Sequence, residues 1–131
     1  MQKKEICDVI QLEENKMAKE NIEMRIKKEK IRWVFARDLE DLKKVLSSKK
    51  AKFYIVTEQK NGDDKNQSGY LRTAVALIRQ SDINAKIILY STLPLTEAYK
   101  LEAAYINKND CNTTTLSKKI KTLIEKYNKK Y

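Results

Sequence analysis

Apolar residues along this chain follow two periods in turn, as short continuous runs and as longer stretches in which they recur every three or four positions. Residues 5–12 (EICDVIQL) form the first run. From 15 to about 30, Ala18, Ile22 and Ile26 fall four apart and Met17 and Met24 widen the stripe, which predicts a helix with one buried face. Residues 31–36 predict a second strand. Asp38 then stands where a helix cap belongs, ahead of Leu39, Leu42, Val45 and Leu46, and that helix ends over 47–50. The run 53–56 (FYIV) is apolar throughout, the pattern of a strand covered on both faces, so it is expected at the centre of a sheet. A polar loop is predicted over 59–68 (QKNGDDKNQS), and a helix over 70–80 with Leu71, Ala74, Val75 and Ile78 inward. A strand over 86–90, a turn at Pro94, a short helix to about 103 and a brief strand over 104–107 follow. The last helix, 113–127, carries Leu116, Ile120, Leu123, Ile124 and Tyr127 on one face.

Strand and helix alternating in this way predict an α/β fold, a doubly wound parallel five-stranded sheet with helices on both faces. A length of 131 residues fits one such domain, 1–131. In open parallel sheets a binding site lies beyond the carboxyl ends of the strands. Four of the runs close on polar residues that would share that edge: Glu13 and Glu14, Thr57 and Glu58, Ser91 and Thr92, and Lys108.

Composition narrows the chemistry available there. The chain has no histidine and only Gly62 and Gly69 as glycines, which excludes His-based triads, imidazole metal sites, Walker loops and glycine-rich dinucleotide turns. Cys7 in the first strand and Cys111 in a late loop form neither a CxxC pair nor a disulfide framework, so reduced, structural thiols are expected. No apolar stretch approaches the roughly 20 residues that cross a bilayer. The leading MQKKE lacks a signal-peptide core, and a cytoplasmic protein with no membrane partner is the expectation.

The formal net charge is +10, and it is concentrated: residues 118–131 hold six lysines against one glutamate, and residues 16–32 hold seven basic against three acidic side chains. Such clusters raise the local concentration of polyanions, although lysines on a helix also serve as an ordinary solvated face. Trp33, on the second strand, reads as a packing residue.

The order of elements and the residues that close each strand resemble the receiver domain of bacterial two-component response regulators. The resemblance implies a flavodoxin-like, three-layer sandwich. It also implies an acidic pair after the first strand that binds magnesium, a phosphoacceptor aspartate after the third, a hydroxyl residue after the fourth and a lysine after the fifth. Glu13 and Glu14 stand at the first of these positions, Ser91 at the third and Lys108 at the fourth. The departure is at the second, where FYIVTEQ places Thr57 or Glu58 in the position of the aspartate; Asn109 also replaces the proline usual after the lysine. Glutamates lengthen each arm by one carbon, which misplaces oxygens around a cation that tolerates little error. The resemblance further implies that Tyr105 is the aromatic whose rotation follows the hydroxyl residue and remodels a partner surface, here with Tyr99, Lys118 and Lys119.

The expectation is therefore an atypical receiver-like signalling or adaptor protein. It would act through protein contact, in hetero-complexes or as a homodimer, without catalysis, without efficient aspartyl phosphorylation and without a resident cofactor. Two further readings stand beside it: a basic module that binds nucleic acid through its two lysine-rich helices, and an active magnesium-dependent receiver using Glu13 and Glu14 as ligands and Asp63 or Asp64 as acceptor. Glu58 pairing with Lys108 would imitate an occupied site.

Overall fold

The computed structural model describes residues 4–58, 64–92 and 95–130, with the side chains of 64–68, 95 and 97 outside the description. Its elements alternate as β1 (Glu5–Leu12), α1 (Lys16–Ile26), β2 (Trp33–Ala36), α2 (Leu39–Ser48), β3 (Lys49–Thr57), α3 (Asp64–Ser81), β4 (Ile87–Ser91), α4 (Leu95–Lys100), β5 (Ala104–Asn107) and α5 (Thr113–Lys130). The five strands form one parallel sheet in the order β2-β1-β3-β4-β5, with β3 at its centre. This is the doubly wound flavodoxin-like arrangement, and the reversal of strand order falls between β1 and β3.

The two sides of the sheet bury separate cores. On one side Ile10, Leu12, Tyr54, Val56 and Leu89 pack against Leu42 and Leu46 of α2 and Leu71, Ala74 and Ile78 of α3. On the other, Val9, Phe53, Ile55 and Ile88 pack against Ile22 of α1 and Leu116, Ile120 and Ile124 of α5. Alternate residues of each strand serve alternate faces, which is why the central runs are apolar throughout. Cys7 belongs to the first core and Cys111 to the second, both buried and free. Burial pushes the Cys7 thiol up to about 11.

The caps follow local chemistry. The Asn15 side chain accepts from the backbone N–H groups of Met17 and Ala18 at 2.9 and 3.1 Å, and Asp38 accepts from Asp41 N at 2.8 Å. Four expectations need correction. The first helix stops at Ile26 rather than near 30, and Met17 and Met24 are 72% and 75% exposed, because the helix is rolled so that Ile22 is its buried contact. The third strand begins at Lys49, directly after α2, and the Lys49 ammonium reaches the Glu5 carboxylate at 3.2 Å across the β1–β3 pair. Residues 64–68 of the expected loop are the first turns of α3, while 59–63 and the turn at Pro94 lie outside the described residues. Among the described residues no helix is long and apolar enough to cross a membrane.

Candidate functional site

The parallel register brings the polar closures together at the carboxyl edge. Leu12 pairs with Val56, Thr57 with Tyr90 and Ser91 with Asn107, so Glu13 and Glu14, Thr57 and Glu58, Ser91 and Thr92, and Lys108 follow one another along adjacent strand ends. Glu13, Thr57, Glu58 and Ser91 are all buried, while Glu14 is exposed and Lys108 half-buried. Polar groups withdrawn from water must find partners within the protein.

Glu58 finds them on β4. Its Oε2 accepts from the Ser91 hydroxyl at 3.1 Å, and its Oε1 accepts from the Thr92 backbone N–H at 2.9 Å and the Thr92 hydroxyl at 2.8 Å. Tyr105 on β5 donates its hydroxyl to the Ser91 carbonyl at 3.3 Å, so the aromatic ring is turned toward the same strand end. Lys108 is placed differently from the expected pairing. Its Nζ lies 5.6 Å from the centre of the Tyr90 ring, and among the described residues no ion pair joins it to Glu58. A cation over an aromatic face is itself favourable, and Tyr90 is the side chain that β4 presents there.

Glu13 is held by a second network that the sequence did not announce. Gln11, fully buried in β1, donates from Nε2 to Glu13 Oε1 at 3.3 Å and to Thr57 Oγ1 at 3.0 Å. Its Oε1 accepts from the Trp33 indole N–H at 3.1 Å, and the backbone N–H of Asn15 donates to Glu13 Oε2 at 3.2 Å. Burial holds the Glu13 carboxyl above the ordinary carboxylate range, against the Asn15 N–H, the Lys108 charge and the Thr57 hydroxyl, which all act to lower it. Trp33 packs as expected and also donates a hydrogen bond. A glutamine set between Ile10 and Leu12 was the sequence signal for this network.

Magnesium is the cation the resemblance implies, and it needs several hard oxygens converging with near-octahedral geometry. Here the oxygens of Glu13 are engaged with Gln11 and Asn15, and those of Glu58 with Ser91 and Thr92. Among the described residues no group of three or more acidic or thiol side chains is placed to hold an ion. The donor set in this arrangement does not fit magnesium.

The surface residues are divided. Tyr99 on α4 is 74% exposed and Tyr105 half-buried, while Lys118 and Lys119 are exposed in the first turns of α5. Lys118 lines a cleft between α1 and α5, and the charge of Lys119 is felt at Cys111.

Compared with known proteins, this arrangement is that of a receiver fold. The receiver domain of a Francisella response regulator superposes with a TM-score of 0.69 at 15% identity, covering 92% of this chain and 98% of that one. A Burkholderia pseudomallei response regulator with a phosphorylated aspartic acid, a calcium ion and citrate gives 0.67 at 13% identity, covering 95% and 72%. An orphan response regulator of H. pylori gives 0.67 at 18%, covering 89% and 96%. No protein-family model and no curated protein matches the sequence. Identities this low establish a common architecture, the flavodoxin-like receiver fold.

Proposed function

We propose that this chain is a receiver-like signalling module that acts through protein contact. In this reading the Glu58 carboxylate stands permanently in place of the charge that phosphorylation would bring. The observation that carries the reading is the grip on Glu58: three donors from Ser91 and Thr92 close on its two oxygens, with Tyr105 turned toward Ser91. Hydrogen bonds to a charged group each contribute about 1.5–3 kcal/mol, so the hydroxyl that would sense a phosphoryl group is already engaged. Nothing is left for a phosphorylation event to change. The longer arm of glutamate supports the reading, since it carries the charge out to the hydroxyls of β4 rather than leaving room for an added group.

The surface that this state would present is formed by α4, β5 and the start of α5, where Tyr99 is exposed and Tyr105 stands at the rim. Tyrosines are favoured at the centre of protein interfaces because they bury apolar area while keeping a polar handle. Another protein of the cytoplasm, or a second copy of this chain, is the partner this surface would take. The chain would carry out no chemistry of its own.

The test is intact mass after incubation with acetyl phosphate and magnesium. An unchanged mass in a folded sample is the expected result. Gain of one phosphoryl group mapped to Glu58 would overturn the proposal. Gain at Asp63 or Asp64 would overturn it equally, and would establish the magnesium-dependent receiver instead.

A further inference from the structure

The two basic segments of the sequence, one near each end of the chain, form a single surface. α1 and α5 lie side by side over the same face of the sheet, and the Lys121 ammonium reaches the Glu29 carboxylate at 2.8 Å across the seam between them. Beside that pair is a cleft of about 290 Å³, lined at its rim by Arg25, Lys118 and Lys121 and at its floor by Ile26 and Ile31. Glu29 is the acidic residue lining it, and it is already occupied by Lys121.

The roll of α5 fixes where the remaining lysines point. Leu116, Ile120 and Ile124 are buried against the sheet, so Lys118 and Lys129, three turns apart, fall on the opposite side of the helix, and both are exposed. At 1.5 Å per residue they stand roughly 16 Å apart along the axis. Lys126 on the same helix, and Lys27, Lys28 and Lys30 in the turn after α1, are also exposed. This is a basic ridge longer than any single small anion. It is matched in length to about five phosphates on one strand of a duplex, which are spaced about 3.4 Å apart along the axis.

The α5 side of this surface is poor in the groups that protein partners use. Protein interfaces are centred on apolar and aromatic side chains and are depleted in lysine. The outward positions of α5 carry Lys118, Thr122, Glu125, Lys126 and Lys129, and its Tyr127 is turned inward onto the Phe53 ring at 5.9 Å. On α5 the exposed cations surround no apolar centre, which is what a phosphate backbone requires, and the exposed apolar side chains of this face, Met17 and Met24, stand on α1.

We propose that the α1–α5 face binds the backbone of duplex nucleic acid without reading its base sequence. This surface lies apart from the Glu58 site and its assignment does not depend on how Glu58 is read. The test is anisotropy of a labelled DNA duplex of mixed sequence, titrated with the protein over a series of salt concentrations. Four phosphate contacts would weaken binding on the order of 100-fold between about 50 and 200 mM salt. Lys118→Glu with Lys129→Glu should lower the salt slope by about two, one for each phosphate that no longer meets a lysine. Lys43→Glu with Lys44→Glu, on α2 over the other face of the sheet, changes the net charge equally and should leave binding within about twofold of the unaltered chain if the contacts are confined to the proposed face. Equal weakening by both pairs would overturn the assignment of a surface, and absence of salt-dependent binding would overturn the partner. Polyglutamate binding as tightly as the duplex would overturn it in favour of an acidic protein. Unchanged emission from Trp33 checks that each variant is folded.

Discussion

Replacing Gln11 with methionine isolates the buried network, because methionine is close in volume and length but offers no amide. Gln11 accepts from the Trp33 indole at 3.1 Å and donates to Glu13 at 3.3 Å and Thr57 at 3.0 Å. The Thr57 hydroxyl keeps Glu13 as a partner. The groups left without their partner in Gln11→Met are therefore chiefly the indole N–H and one Glu13 oxygen. A buried polar group deprived of its partner costs about 1–3 kcal/mol, so the expected loss from the two groups is roughly 2–6 kcal/mol from a total that is typically about 5–15 kcal/mol. Urea unfolding followed by Trp33 emission is the assay, since Trp33 is the only tryptophan in the chain and is 9% exposed when folded. With a slope of about 2 kcal/mol per molar urea, the midpoint should fall by about 1–3 M with the slope unchanged. Trp33→Phe removes the same hydrogen bond from its other end. Followed by circular dichroism, the two substitutions together should cost less than the sum of their separate effects, by about 0.5–3 kcal/mol. A Gln11→Met midpoint that shifts by less than about 0.5 kcal/mol equivalent, or strict additivity with Trp33→Phe, would refute the reasoning.

Three further substitutions have expected outcomes, one in the same network and two at the turn before β5. The folded-state pKa of Glu13 is raised above its ordinary value of 4.5, so the folded chain holds this proton more tightly than the unfolded one. Its contribution is then most favourable below the unfolded value and is lost as pH rises through the folded one. Glu13→Gln should be the more stable form at neutral pH, with the difference shrinking on acidification through that window; urea melts across pH check it, and a constant difference would contradict the cause given. Glu102 holds a left-handed backbone (φ 53°) in the turn before β5, where the Arg79 guanidinium donates to the Leu101 and Glu102 carbonyls at 2.6 and 2.8 Å. Glu102→Gly should stabilise the fold by about 1 kcal/mol and Arg79→Ala destabilise it by about 1–3 kcal/mol, both read from thermal or urea melts.

The order of elements was legible because each strand is a short β-branched or aromatic run and each helix has a single apolar stripe. Those are local properties. What escaped the sequence depends on distant neighbours. Residues 49–52 read as polar, yet they extend β3 because β1 lies alongside and Glu5 pairs with Lys49. Met17 and Met24 fit the helical period, but the roll of α1 against α5 leaves them in water. At the site, spacing placed the polar residues on one edge but could not choose their partners. Glu58 turns to Ser91 and Thr92, and Lys108 turns to Tyr90, because rotamer and register decide between neighbours only a few ångströms apart. Gln11 is the one amide of β1 and was not singled out, because its meaning depends on Trp33 and Thr57 arriving beside it from two other strands.

The outer strands of the sheet, β2 and β5, are each only four residues long. A passing peptide that tried to dock by extending the ladder would find only a few backbone groups to template on, too few to compensate the ordering of its own chain. The sheet is thereby protected from growth into fibres, and recruitment by strand addition is closed to it. Whatever this protein recognises must be read by the side chains of its helices and strand-end loops, so the specificity of the molecule can change by surface substitution while the sheet beneath stays the same.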